Sequence, residues 1–295
     1  MQEERNGRVP DDKTCVGNGP LNRAADEMRA RRVTGIKLSR RLAALAEWVP
    51  EGARFADIGT DHALLPVHLA ATGRIVSAVA GDLRTGPVQA ARRQVTAAGL
   101  ADVISVRQGD GLSVLRPGEA DTVCLAGMGG ALIARLLDAA GERLRGVRTL
   151  ILSPQGAEDA VRRWLVGHRF VLSGERLVQE DGVIYTLLRA DKPDDESEAE
   201  RRNAALYDPA LLAPRLPSLP LELLYEMGPL LLRHPDETFR RKWELEIAKR
   251  ERIVRQIRDS DSAEARAKAE RWARETEIIR EVLACLPAET RSSGC

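Results

Sequence analysis

Acidic residues and glycines fall together at four points of this chain, each just after a short apolar run. Phe55-Ala56-Asp57-Ile58-Gly59-Thr60-Asp61-His62 closes the first run and opens a helical pattern. Gly81-Asp82 ends the second, Gly109-Asp110-Gly111 follows the third, and Ala126-Gly127-Met128-Gly129-Gly130 follows the fourth. A glycine such as Gly59 lets the backbone turn tightly and approach a ligand with no Cβ in the way. Carboxylates beside such a turn suit an amino group, a pair of sugar hydroxyls or the exocyclic amine of a purine. They repel a pyrophosphate, which is held by a glycine-rich GxGxxG turn and the positive end of a helix. Only Gly59 of that fingerprint is present, so a nicotinamide dinucleotide is disfavoured. Each residue also has a plainer reading: Asp61 and Asp82 as helix caps, Asp110-Gly111 as a turn, Met128 as part of a helix-entry loop.

Alternating strands and helices must position these turns. Apolar runs at 54–58, 75–80, 103–107, 122–125, 149–152, 170–177 and 183–188 read as strands, and amphipathic segments at 62–71, 86–98, 130–138 and 158–167 as helices. Leu38, Leu42, Leu45 and Val49 recur at helical spacing behind Ser39, so a helix precedes the first strand. Strand–helix alternation predicts a doubly wound, mostly parallel sheet, whose ligands bind at the carboxyl ends of the strands where the order reverses. The last two runs are separated only by 178–182, which predicts a hairpin and one antiparallel strand. The fold class expected is therefore α/β, a mostly parallel sheet with one antiparallel strand that resembles the Rossmann-like class I methyltransferase sheet, followed by a C-terminal helical hairpin resembling a coiled coil.

Such turns on successive strands fit S-adenosylmethionine: Asp57, Gly59 and Asp61 at its amino-acid end, Gly81 and Asp82 at the ribose, Asp110 and Gly111 at the adenine. Ala126, Gly127 and Met128 would lie beside the reactive methyl. Residues 1–33 read as a disordered leader, 34–190 as the catalytic domain, 191–205 as an acidic linker and 206–290 as a helical domain. In the last, Phe239, Trp243, Ile247, Val254 and Ile257 make one stripe, interrupted by Arg250, and Ala265, Ala269, Trp272, Ile279, Leu283 and Leu286 another, joined by a turn at 259–262.

The chain has 295 residues, 43% hydrophobic and 30% charged, a globular composition. No apolar stretch of about eighteen residues suggests a membrane span, and the N-terminus lacks a secretory core, so a cytoplasmic protein is expected. Cys15, Cys124, Cys285 and Cys295 are scattered, and His62, His68, His168 and His234 form no HExxH, so no metal is expected. Net charge is only +1, but basic residues cluster at 23–41 and 233–258. Of these Arg40, Arg41, Arg240, Arg241, Lys242, Lys249 and Arg250 are candidate phosphate contacts; a solvated helix face, dimerisation or internal packing are the competing readings. Monomer and homodimer both remain open.

The run 38–188 resembles the bacterial tRNA (adenine-22-N1)-methyltransferase family. The matching pieces are LSRRL at 38–42, ADIGTDHALLP at 56–66, GDLRTGPVQAA at 81–91, ISVRQGDGL at 104–112 and, most distinctive, AGMGGALI at 126–133. The family also ends in a helical domain preceded by a segment similar to Met227-Gly228-Pro229-Leu230-Leu231-Leu232. Two positions depart from its pattern: Asp82 stands where the family usually has Glu, and Ser153-Pro154-Gln155-Gly156 where it tends to carry Gln-Pro-Asn. The resemblance implies methyl transfer to N1 of an adenine in tRNA, the base being turned out of its stack. It leaves Asp61 as the candidate to stabilise the resulting cation or accept a proton, with His62, Ser153 and Gln155 in support. Rival readings are a methyltransferase acting on another RNA position, a protein or a small molecule, and a non-catalytic RNA-binding protein.

Overall fold

The computed structural model describes residues 37–258 and 262–286. The expected leader, 1–33, and the tip of the expected turn, 259–261, lie outside them. A first helix, α1 (Arg40–Glu47), is capped by Ser39, whose Oγ accepts from the Leu42 amide at 3.2 Å. Then β1 (Ala53–Ile58), α2 (Leu64–Ala71), β2 (Ile75–Asp82), α3 (Thr85–Ala97), β3 (Ile104–Gln108), β4 (Thr122–Met128), α4 (Gly130–Asp138), β5 (Thr149–Pro154) and α5 (Glu158–Gly167) alternate as the periodicity requires. The hairpin β6 (Val171–Glu180) and β7 (Val183–Asp191) completes one seven-stranded sheet of order β3-β2-β1-β4-β5-β7-β6.

Strands β1 to β5 are mutually parallel and β7 runs antiparallel to both its neighbours, so one strand is reversed. The chain winds outward from β1 through β2 to β3, then returns to the other side of β1 as β4. The carboxyl ends of β1 and β4 therefore flank the reversal point, where a crevice must open. Both hairpin strands outrun their apolar cores because Asp181 and Gly182 both take positive φ, 49° and 79°, the two-residue turn whose twist matches that of the strands.

Side chains alternate across the sheet. Ala56, Ile58, Leu125, Leu150 and Leu152 join one core, with α4, α5 and the C-terminal helices. Phe55, Ala80, Cys124, Ile151 and Leu187 join the other, under α1, α2 and α3. Asp57 and Ser153, two residues on from Phe55 and Ile151, thus belong to the α1 face.

The stretch 191–205, read as a linker, instead carries α6 (Glu196–Leu206), whose Ala199, Asn203 and Leu206 are buried. Its Asn203 side chain donates to the Phe170 carbonyl at 3.1 Å, which ties the segment to the start of β6. Two short helices follow, α7 (Leu221–Met227) and α8 (Pro229–Arg233), split at Gly228. The split has a definite cause. Arg162 of α5 and Glu175 of β6 form an ion pair at 2.7 Å with neither side chain exposed. Arg162 donates to the carbonyls of Tyr225 and Glu226, and Glu175 accepts from the amides of Leu230 and Leu231. Gly228 crosses this pair at φ 92°, where a Cβ would stand 2.6 Å from Arg162 Nη2.

The long helices α9 (Glu237–Arg258) and α10 (Ala263–Cys285) pack antiparallel, since Arg240 reaches the Leu283 and Leu286 carbonyls while Arg250 meets Glu275. Arg250, which breaks the apolar stripe, is buried among the carboxylates of Glu226, Glu246 and Glu275. Among the described residues no helix is long and apolar enough to cross a membrane.

Candidate active site

A cavity of about 440 Å³ opens at the reversal point. Gly59 lines it from β1, Gly81 and Asp82 from β2, Asp110 and Gly111 from the loop after β3, and Met128 from β4. Leu83, Leu132 and Leu136 supply apolar walls. Gly59 sits at φ 77° with its amide bonded to the Gly81 carbonyl at 2.8 Å, so the β1 loop folds back across β2. A Cβ there would lie 2.1 Å from Met128 Cε. Asp82 is buried, 8% exposed, and one oxygen, Oδ1, accepts from the Arg84 amide at 2.7 Å. Its second oxygen has no partner among the described residues and faces a cavity it lines. Helix α3 is capped at Arg84 with no side-chain bond, so Asp82 does not serve as its cap.

Asp57 stands apart from this lining. It lies beneath the Gly59 turn, 7% exposed, and Oδ2 accepts from the Thr60 hydroxyl at 2.6 Å. Burial pushes its carboxyl up from 3.8 to about 6, against the opposing pull of the Thr60 hydroxyl and the nearby Arg41 guanidinium. The sequence reading places Asp57 at the ligand; the structure puts the hydroxyl of Thr60, a residue that reading leaves out, on its Oδ2.

The rest of the loop is open. Asp61 is 84% exposed at its side chain and lies 3.4 Å from His62 Nε2. His62 and Ala63 both take left-handed backbone, φ 58° and 54°, and Ala63 is the residue that precedes α2. Asp61 therefore makes no helix cap. Two successive non-glycine residues in this region store strain of the kind that collects at functional sites. Across the crevice, the Gln155 side chain is exposed while its amide donates to the Met128 carbonyl at 2.8 Å. Ser153 is fully buried and its hydroxyl has no partner. Ala126 is half-buried and Gly127 exposed on the same strand end.

The expected phosphate contacts divide. Arg40, Arg241 and Lys249 are exposed, the last alongside Glu246 at 3.0 Å. Lys242 is not available: its ammonium donates to Glu158 at 2.6 Å and to Thr186 at 2.7 Å. Burial lowers the Lys242 ammonium, while the charge of Lys242 holds the Glu158 carboxyl low in spite of burial. Arg250 is likewise enclosed by carboxylates, and Arg240 is bonded to the end of α10. Arg41 also turns inward, its guanidinium 5.0 Å above the Tyr185 ring. Lys242 and Arg250 are therefore spent on packing within α9's surroundings, whereas Arg41 is half-buried. Among the described residues no group of three or more His, Cys, Asp or Glu could hold a metal ion.

Sequence pattern missed the apolar walls. The available signal is Leu83 directly after Asp82 at the end of the second apolar run; the structure leaves it 60% exposed beside the cavity. The cavity fits a purine nucleoside joined to an amino acid: apolar walls, a buried carboxylate with an unshared oxygen, and a floor at Gly59 that any side chain would fill.

Comparison with known proteins agrees. The family model described as tRNA (adenine(22)-N(1))-methyltransferase matches residues 55–282. The tRNA (adenine(22)-N(1))-methyltransferase of Bacillus subtilis is 39% identical over 249 residues, covering 84% of this chain and 98% of the relative. The crystal structure of that Bacillus tRNA methyltransferase superposes with a TM-score of 0.74, covering 84% of this chain and 99% of its own. A Streptococcus pneumoniae structure in complex with S-adenosyl-L-methionine, 31% identical, gives 0.67 over 84% of this chain and all of that one. The reversed-strand sheet, the acid-lined crevice and these likenesses agree, and the chain belongs to the tRNA (adenine(22)-N(1))-methyltransferase family.

Proposed function

We propose that this protein transfers a methyl group from S-adenosylmethionine to N1 of adenine 22 in tRNA, in the cytoplasm. The observation that carries the reading is the single crevice shared by Gly59, Asp82, Asp110 and Met128 at the reversal point. The bound cofactor supplies a methyl on a sulfonium, already a good leaving group, so the protein's task is alignment more than activation. Asp82 takes the ribose hydroxyls through its unshared oxygen, and Asp110 accepts from the exocyclic amine. Glycines at 59, 81 and 111 let the backbone close on the nucleoside.

The lone pair of adenine N1 attacks the methyl carbon as the carbon–sulfur bond breaks onto sulfur, and the base becomes cationic. Asp61, exposed on the strained loop, stabilises that cation or takes the surplus N6 proton, and His62 orients it. Gln155, exposed just after β5, flanks the base. Exposed Arg40, Arg241 and Lys249 hold phosphates without reading sequence. Unmodified tRNA incubated with protein and cofactor, then digested and mapped by mass, tests this directly. N1-methyladenosine at position 22 is the expected product; methyl on any other atom or position overturns the assignment.

A further inference from the structure

A second cavity, of about 350 Å³, lies where the C-terminal hairpin meets the loop after β5. Gly156, Ala157 and Asp159 line it from that loop and the start of α5, Glu226 from α7, and Trp243 and Lys249 from α9. Among the described residues it shares no wall with the first crevice, yet the two are neighbours. Met128 lines the crevice, its carbonyl accepts from the Gln155 amide at 2.8 Å, and Gly156 lines the second cavity. The charges around this second cavity match one another with one exception. Lys242 is held by Glu158, Arg250 by Glu226 and Glu246, and Lys249 by Glu246. The side chain of Asp159, half-buried on the first turn of α5, has no hydrogen-bond or ion-pair partner among the described residues, although its charge is felt at Glu226. Trp243 is 3% exposed, and its indole N–H, shielded from solvent, has no acceptor. A spare acceptor and a spare donor on the walls of one cavity are the complement of a ligand that carries both.

Resting on the tRNA reading above, we propose that this cavity takes a second base of the tRNA, a guanine, while the target adenine enters the crevice beside it. The Watson–Crick edge of guanine offers two adjacent donors, N1–H and the N2 amine, next to one acceptor, O6. A carboxylate accepts both donors at once and has nothing to donate. Adenine, cytosine and uracil each set an acceptor beside the donor on that edge, and a carboxylate repels it. Asp159 therefore takes N1–H and the N2 amine, and the Trp243 N–H answers O6. A phosphate is the wrong occupant, because Asp159 brings an uncompensated negative charge. Only an unpaired base has this edge free, so the guanine comes from a single-stranded part of the RNA. Arg241 and Lys249, exposed on α9, hold the strand that carries it. With guanine fixed against α5, the loop 155–157 receives an adenine at a set spacing along the chain, which selects one adenine from the many in a tRNA.

Inosine keeps N1–H and O6 but lacks the N2 amine, so tRNA transcripts with inosine in place of one guanosine at a time isolate the contact. Wild type should lose roughly tenfold in kcat/KM when one particular unpaired guanosine is replaced, the range for a charged hydrogen bond. Asp159→Ala should methylate the all-guanosine transcript roughly ten- to hundredfold more slowly, and inosine at that position should then cost less than about twofold more. Asp159→Asn, which sets an amide donor against the guanine donors, should behave like Asp159→Ala. Both variants should bind S-adenosylhomocysteine as wild type does in calorimetric titration, which separates loss of the base contact from loss of the fold. An inosine penalty that persists undiminished in Asp159→Ala, or full activity of that variant on the all-guanosine transcript, overturns the proposal. Where a variant does not fold, the wild-type arm decides: no unpaired guanosine sensitive to inosine overturns it as well. Wild-type protein that makes no N1-methyladenosine on the all-guanosine transcript refutes the tRNA reading itself.

Discussion

Replacing Asp57 by asparagine should make the cofactor-free protein more stable at neutral pH while impairing it as an enzyme. The folded chain holds the Asp57 proton up to about pH 6, whereas an unfolded aspartate releases it near 3.8. Between those values the native state binds more protons than the unfolded one, so stability falls as pH rises and levels off above about 6. At about 1.4 kcal/mol per pH unit the gap amounts to about 3 kcal/mol of strain from an ionised, buried carboxylate. Asparagine keeps the shape and an oxygen that can accept from the Thr60 hydroxyl, now at 2.6 Å, but carries no charge. Denaturant melts of both proteins from pH 4.5 to 8 should therefore show an advantage for Asp57→Asn that grows with pH and reaches about 3 kcal/mol. In a chain of this size that is on the order of 5–10 °C in Tm. Saturating S-adenosylmethionine should narrow the difference, since the ligand stabilises only the protein that binds it well. A variant less stable than wild type at pH 8, or an advantage equal at pH 4.5 and 8, refutes the reasoning.

Other perturbations follow from named contacts. Asp82→Ala removes the unshared oxygen assigned to the ribose and should raise the cofactor dissociation constant about tenfold or more by titration calorimetry; an unchanged constant removes Asp82 from the site. Gly228→Ala must place a Cβ 2.6 Å from Arg162 Nη2 at φ 92° and should cost about 3 kcal/mol or more in equilibrium unfolding. Lys242→Ala leaves Glu158 without its cation and should cost about 3 kcal/mol in unfolding, with no change in the salt dependence of tRNA binding. Arg241→Ala, at an exposed position, should do the reverse: unchanged stability and a shallower salt slope in a tRNA binding isotherm.

The sheet was legible because burial on both faces forces near-continuous apolar strands, and helices α3, α4 and α5 carry a 3.6-residue period. Helices α4 and α5 begin and end where that period does. The turns bearing Gly59, Asp82, Asp110 and Met128 were legible for a different reason: acids and glycines have little cause to recur after successive apolar runs except around a ligand. What stayed hidden depends on long-range contacts. Glu196–Leu206 is too polar to suggest a packed helix, and it is fixed by the Asn203 bond to Phe170, the ion pairs of Arg169 with Glu196 and Glu200, and a narrow buried edge. The basic residues of α9 look alike in sequence, and nothing in spacing separates Arg241, which is exposed, from Lys242, whose partner Glu158 lies 84 residues away. Spacing likewise does not separate Arg41, whose guanidinium lies over the Tyr185 ring, from exposed Arg40 beside it.

That hidden chemistry also bears on how substrate and pocket are kept in register. Glu158 opens α5 directly after Gln155-Gly156-Ala157, the loop that follows β5, and it is the residue that Lys242 of α9 grips. Arg250, two turns further along α9, holds Glu226 next to the Arg162–Glu175 clamp. The C-terminal hairpin is thus fastened to the rim of the crevice by buried charge, and a buried ion pair tolerates little displacement because either partner left alone is costly. Cations exposed on α9 then keep a fixed distance from the loop that would face the target base. A flexible tether would supply the same phosphate attraction but would let the adenine wander, and misalignment of about 1 Å at a displacement reaction can cost about a hundredfold in rate. On the proposed function, α9 spends Lys242 and Arg250 on packing and leaves Arg241 and Lys249 exposed on a helix that is firmly anchored.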